Sequence, residues 1–299
     1  MSDRARTPVA GAGFTRIQPT PAATVTGVTS ATTPRDDLPT LDVLLPAPRR
    51  IAPDHREDDL AALYAYDRPS RGPAVVRANM VAGVDGAAWG HDHRSGSIND
   101  DADWRVFRVL RALADVVVVG AGTARAEGYT SLDRPRGLRH LHDGPLELAV
   151  VTRSGHVPAA LASSARPPFV VTGRAGAHVL HGVVPPERVI VAPGAGAEVD
   201  LVAGLAALAD RGLSRVLTEG GPTLLGDLLR ADLVDELCVT TTPNVVGPGP
   251  GRIVAGPPPA GSSAMAPRDA RLAHLLHAPQ DRPGSPAGTT LARWILPLG

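Results

Sequence analysis

Lysine is missing from this sequence: all 30 basic residues are arginine, set against 30 acidic residues. A catalytic Schiff base and a lysine-ended phosphate loop are excluded by that absence. The balanced charge gives no general attraction to nucleic acid or to a membrane surface. Cysteine is nearly missing too. Cys238 stands alone, so neither an internal disulfide nor a zinc site on paired cysteines is available. Its place in the alternating stretch DELCVTTT suits a buried structural thiol. Aromatic residues make up 3% of the chain, so the core must be built from Val, Leu and Ala. No apolar run approaches the ~20 residues of a membrane span. The N-terminus carries no apolar stretch of signal-peptide type, and a soluble cytoplasmic protein is the expectation.

What is present is an α/β pattern. Residues 1–40 are rich in Pro, Thr, Ala and Gly and show no periodicity, which predicts a disordered tail. Residues 41–72 predict a short helical extension, with acidic residues opening REDDLAALYAY and Leu60, Leu63 and Tyr64 forming a docking face. From 73 to 299 the chain predicts one domain. Strands are expected over 74–86, 116–119, 146–152, 168–172, 188–192, 214–220 and 235–243, and helices over 99–115, 200–211 and 222–231. The all-valine run 116–119 predicts a strand buried on both faces, as in a parallel sheet. The stretches 272–279 and 289–296 predict an antiparallel hairpin at one sheet edge, a plausible dimer interface.

Two strand–glycine–helix junctions carry the strongest chemical signal. The first, VVVVGAGTARAEGY, has Gly120 and Gly122 of a dinucleotide fingerprint but Arg125 where the third glycine belongs. The second, VLTEGGPTLLGDLL, ends a strand in Thr218-Glu219 and opens a helix with Gly220, Gly221 and Pro222. Bare backbone N–H groups at such a helix start attract phosphate, and glycine lets a pyrophosphate approach the chain. The strand at 146–152 ends in Thr152, Arg153 and Ser154. A cation flanked by hydroxyls there suits a ribose 2′-phosphate better than a free hydroxyl, favouring NADP over NAD. His91 and His93 lack a third nearby ligand, so no metal is expected.

The segments RANMVAGVDGAAW, SGSINDDADWRVFRVLRALADVVVVGAGTARAEGY and LTEGGPTLLGDLL…DELCVTTTPNVVGPG, in that order, resemble the reductase domain of bacterial riboflavin biosynthesis, the RibD C-terminal family, over roughly 73–296. The resemblance implies a dihydrofolate-reductase-like fold: a mostly parallel central sheet flanked by helices, with a C-terminal antiparallel hairpin. It implies NADPH as cofactor, a homodimer, and reduction of the ribosyl C1′ of 5-amino-6-(5-phosphoribosylamino)uracil. It implies cofactor contacts at Thr123, Glu127 and the pyrophosphate loop Gly220, Gly221, Pro222, Thr223 and Leu224, with Glu127 standing where the family often has Asp. It places Ser95, Arg111 and Arg134 at substrate-holding positions, Asn79 and Asp85 at the first strand's active-site edge, and Glu219 facing the substrate. Family members that carry a zinc deaminase need cysteine ligands. None lies before Pro73, so that deamination is not expected of this chain.

The residues themselves leave alternatives open. Arg111 could be a solvated helix cation and Arg134 a loop surface charge, while Asp85 could be a turn aspartate. Asp85 and Glu219 are the candidate acid–base groups. Dihydrofolate reduction, or a non-catalytic nucleotide-binding module, stands beside pyrimidine reduction.

Overall fold

The computed structural model describes residues 38–67, 72–257, 266–279 and 288–297. Positions 1–37 of the expected tail lie outside them. The strands are β1 (Leu41–Leu45), β2 (Arg49–Ile51), β3 (Val75–Gly83), β4 (Val116–Gly120), β5 (Glu147–Val151), β6 (Phe169–Thr172), β7 (Val189–Val191), β8 (Arg215–Thr218), β9 (Glu236–Thr242), β10 (Arg271–Ala278) and β11 (Thr289–Ile295). The helices are α1 (Asp58–Leu63), α2 (Asp101–Leu113), α3 (Ala121–Ala126), α4 (Ala159–Ala162), α5 (Arg174–Val179), α6 (Leu201–Ala209) and α7 (Pro222–Arg230).

All described strands join one sheet in the order β2-β1-β10-β11-β9-β3-β8-β4-β5-β6-β7. Pairing is parallel from β9 through β7 and antiparallel on the other side. The valine run shows why the centre is parallel. Val117 and Val119 pack in a core cluster with α2, while Val116 and Val118 pack in a second cluster with α6 and α7. Both faces of β4 are covered, so every position can be apolar.

Helix α2 begins where its sequence allows. The Asp100 carboxylate accepts the N–H groups of Ala102 and Asp103 at 3.0 Å each, occupying two donors that the first turn leaves without partners. Val106, Val109, Leu110 and Leu113 then form one stripe against the sheet.

The structure corrects two expectations. The segment 41–72 holds the expected helix, α1, but strands β1 and β2 precede it. Alternation produces β1: Leu41 and Val43 are buried while Leu44 points outward. The C-terminal hairpin forms, yet it is not a free edge, because β1 pairs with β10 through Asp42↔His277 and Val43↔Leu276. An interface through that edge is therefore covered by the protein's own chain. The cover is fastened from α2, where Arg105 donates to both oxygens of Glu57 and to the carbonyls of Pro39, Ile51 and Ala52. It is fastened again from the sheet, where Arg77 and Arg293 share Glu236 and donate to the carbonyls of Tyr64 and Leu63, respectively.

Candidate active site

The two glycine junctions meet. Strands β4 and β8 are neighbours with Val118 opposite Thr218. Beyond them the Gly120 N–H donates to the Gly220 carbonyl at 2.9 Å, and the Glu219 N–H donates to Val118. Gly220 has φ 84° and a cis bond to Gly221. A Cβ at Gly220 would lie 3.2 Å from the Met80 sulfur, and one at Gly221 would lie 2.5 Å from Thr123 Oγ1. Only bare backbone lets α3 and α7 start so close together. Among the described residues neither helix start carries a side-chain cap, so the first N–H groups of α7, at Thr223 and Leu224, have no side-chain acceptor among them, and the dipole adds positive character there. Among the described residues outside the start of α3 itself, no atom lies within 4 Å of a Cβ position at Gly122. This bare backbone, with Thr123 between the two loops, fits the pyrophosphate of a dinucleotide.

At the end of β5 the Thr152 N–H is bound to Val171, and its hydroxyl lies 3.5 Å from Ser154 Oγ. Arg153 is exposed and pairs loosely with the exposed Glu198 at 3.4 Å. Ser154 Oγ also lies 3.1 Å from His156 Nδ1. Arg153 is thus the one cation of this trio, and it is exposed.

Glu219 is not an open carboxylate. Arg111 grips it with two bonds of 2.7 Å, and the Tyr129 hydroxyl donates to the same carboxylate. Arg111 is 1% exposed and lies 4.1 Å over the Phe107 ring. Burial holds the Tyr129 hydroxyl well above its usual pKa, and the Glu219 charge adds to that, so it stays protonated as a donor. Arg111 is therefore neither a solvated helix cation nor free for a phosphate. Arg134 is likewise buried. It donates to the carbonyls of Arg111, Ala112, Ala114 and Gly144 and closes the C-terminal end of α2. Both arginines have structural partners where a substrate-phosphate role was expected.

Asp85 has a third kind of work. Its carboxylate accepts the N–H groups of Val246 and Gly247 at 2.8 Å each, and that of Ala87. These bonds, that from Gly247 foremost, hold its pKa below the ordinary value. They join the loop after β3 to the loop after β9, and Asp85 is a loop brace rather than an acid. Ser95 and Glu127, expected on substrate and cofactor respectively, bind each other: Glu127 Oε1 accepts both the N–H and the hydroxyl of Ser95. Asn79 is half-buried opposite Cys238, and its amide makes no hydrogen bond among the described residues. Cys238 is buried, and burial pushes its thiol up to about 12, as suits a structural cysteine.

Sequence reasoning missed two groups. Tyr129 closes the very stretch that carries Gly120 and Gly122. Asp103, in the first turn of α2, is 6% exposed and was not singled out.

A mostly parallel sheet with glycine loops and polar groups at the carboxyl ends of β3, β8, β4 and β5, extended by antiparallel strands, defines an α/β protein of the kind that holds ligands at those ends. Residues 74–278 match the RibD C-terminal domain, and the chain belongs to that family; by that membership it is an oxidoreductase. It is 31% identical over 182 residues to the 2,5-diamino-6-ribosylamino-4(3H)-pyrimidinone 5′-phosphate reductase of Archaeoglobus fulgidus, covering 58% of this chain and 81% of that one. Its fold is similar to that of a pyrimidine reductase-like protein from Corynebacterium diphtheriae, with a TM-score of 0.62 and 24% identity over 76% of this chain and 93% of the other. It is also similar to RibD of Acinetobacter baumannii, with a TM-score of 0.57 and 19% identity over 75% of this chain and 58% of that one. Among the described residues no helix is long and apolar enough to cross a membrane.

Proposed function

We propose that this protein reduces a phosphoribosylaminopyrimidine of riboflavin biosynthesis with NADPH, taking 5-amino-6-(5-phosphoribosylamino)uracil to its ribitylamino product. The observation that carries this is the joined pair of glycine loops, with the first N–H groups of α7 left without side-chain caps. That cradle suits a pyrophosphate, and family membership supplies the reaction class. A bound nicotinamide would supply the hydride. Gly120, Gly122, Thr123 and Gly220 to Leu224 hold the dinucleotide, and the exposed Arg153 with Thr152 and Ser154 favours a 2′-phosphate. The Arg111–Glu219–Tyr129 cluster fixes the base of the site, so that Asn79 can orient the pyrimidine. With Arg111 paired to Glu219, we assign the substrate phosphate to the exposed Arg94 beside Ser95.

The test is cofactor oxidation by the purified protein, with NADPH and NADH compared. The substrates are the uracil intermediate, the 2,5-diaminopyrimidinone named for the archaeal relative, and dihydrofolate. Turnover of a phosphoribosylaminopyrimidine with NADPH preferred supports the proposal. Turnover of dihydrofolate alone refutes the substrate, and NADPH binding without any turnover points to a non-catalytic nucleotide-binding module.

A further inference from the structure

Beyond the glycine cradle the carboxyl ends of β5, β6 and β7 lie side by side, and each leads into a glycine. Gly155 follows Arg153 and Ser154 after β5, Gly173 follows β6 directly, and Gly194 follows β7. The three exits pack on one another through bare backbone. Gly155, at φ 75°, would bring a Cβ to 2.3 Å from the Gly176 carbonyl oxygen, and a Cβ at Gly176 would lie 3.1 Å from the Arg153 carbonyl oxygen. A Cβ at Gly173 would lie 3.4 Å from the carbonyl oxygen of Glu198. Only glycine lets the loops lie this close.

The loop after β7 doubles back over these exits. The Gly194 N–H donates to the Glu198 carbonyl at 3.0 Å, the Glu198 N–H donates to the Ala195 carbonyl at 3.1 Å, and Pro193 bridges to Val199. The turn so closed carries the Glu198 side chain across β6 to the end of β5. There its carboxylate stands 3.4 Å from the Arg153 guanidinium, with 62% of the Glu198 side chain and 66% of the Arg153 side chain exposed. The contact is longer than a tight charge-assisted bond, so both groups can turn to a ligand. β5 itself ends without an acid, and the fold brings one there from 45 residues further along the chain. The two charges suit two different cofactors. In a dinucleotide site a carboxylate accepts the 2′-hydroxyl of the adenosine ribose, whereas an arginine takes a 2′-phosphate. The cradle lies where β4 meets β8, and the boundary between β5 and β6 is two strand spacings away, about 10 Å. One ribose, together with the reach of these two long side chains, covers that distance.

We propose that Glu198, paired with Arg153, makes the cofactor site accept both nicotinamide dinucleotides: Arg153 takes the 2′-phosphate of NADPH, and Glu198 takes the 2′-hydroxyl of NADH. The inference rests on the nicotinamide-dependent reduction proposed above and adds the residue that sets its cofactor preference. Without cofactor each charge holds the other. NADPH draws Arg153 to its phosphate and leaves Glu198 as a nearby like charge, which lowers the affinity that Arg153 alone would give. NADH keeps the pair together and adds a hydroxyl to it. NADPH stays the tighter ligand, by a smaller margin than an arginine alone would set.

The experiment titrates wild type, Glu198→Gln and Arg153→Gln with NADPH and with NADH, following cofactor fluorescence with no substrate present. Wild type binds both, NADPH more tightly. Glu198→Gln tightens NADPH and weakens NADH, moving the ratio of the two dissociation constants towards NADPH by roughly tenfold. Arg153→Gln moves the ratio the other way by a similar factor. Both side chains are exposed, so neither substitution shifts the melting temperature of the cofactor-free protein by more than about 2 °C. A merely structural residue would move both affinities in the same direction. Glu198→Gln with both affinities unchanged, or moved together, overturns the assignment alone, as does a wild type that binds NADPH and shows no binding of NADH. A wild type that binds neither cofactor removes the functional proposal, and the Glu198 assignment falls with it.

Discussion

Replacing Glu219 by Gln tests the site's internal architecture directly. In the folded protein Arg111 is 1% exposed and has its charge matched by Glu219 through two 2.7 Å bonds. The substitution keeps shape and one acceptor oxygen but leaves the guanidinium without a counter-charge. Removing one partner of a buried ion pair costs about 3–5 kcal/mol, because an uncompensated charge remains. The retained amide acceptor and the Phe107 ring under the guanidinium, 4.1 Å away, place the loss near the lower end. A loss of about 3 kcal/mol lowers the melting temperature of a domain this large by roughly 6–12 °C. Arg111→Met should cost a similar amount by stranding the carboxylate. The double variant should recover much of the loss, since replacing a buried pair by apolar groups is often neutral. Urea denaturation of the four proteins gives the cycle. Single losses below about 1 kcal/mol, or strictly additive losses, would refute the buried-pair account. Arg111→Met raising KM for a phosphorylated substrate with an unchanged melting temperature would return Arg111 to phosphate binding.

Two further changes probe the loop contact and the buried imidazole. Gly221→Ala places a Cβ 2.5 Å from Thr123 Oγ1 and should cost about 1 kcal/mol of stability; Thr123→Ala in the same chain should relieve it, and denaturant melts of the pair against each single variant show whether it does. His274 is 2% exposed against the Tyr64 ring, and burial, then the Arg293 and Arg77 charges, lower its pKa to about 4. Its neutral form is favoured by folding, so this stability is fully present above pH 6.5 and is lost as pH falls through 4. The loss approaches about 3 kcal/mol at 1.36 kcal/mol per pH unit. His274→Leu should flatten the stability profile over that window in chemical denaturation, and an unchanged acid slope would refute the assignment.

The parallel half of the fold was legible because its signals are local: a four-valine strand covered on both faces, a helix opened by Asp100, and glycines at both strand exits. The closure of the other half was not. Leu41 to Leu45 is a five-residue alternation between prolines, and its partner β10 lies more than 200 positions away. Nothing nearby in the chain says that such a short strand will find an edge. The same distance hid the chemistry of the site. Arg111 and Glu219, 108 residues apart, meet in the fold. What sequence could not show is that they neutralise each other, which follows only from α2 crossing the carboxyl end of β8. That neutralisation removes both as free groups and leaves Asp103 as a buried carboxyl with no arginine partner among the described residues. Here the sequence did hold a signal. Asp103, Val106, Leu110 and Leu113 share the apolar stripe of α2, with spacings of three and four that put all of them on one face. Burying a carboxyl without an arginine costs stability unless it stays protonated. Asp103, on the core stripe of α2 and 6% exposed, is a carboxyl of this kind.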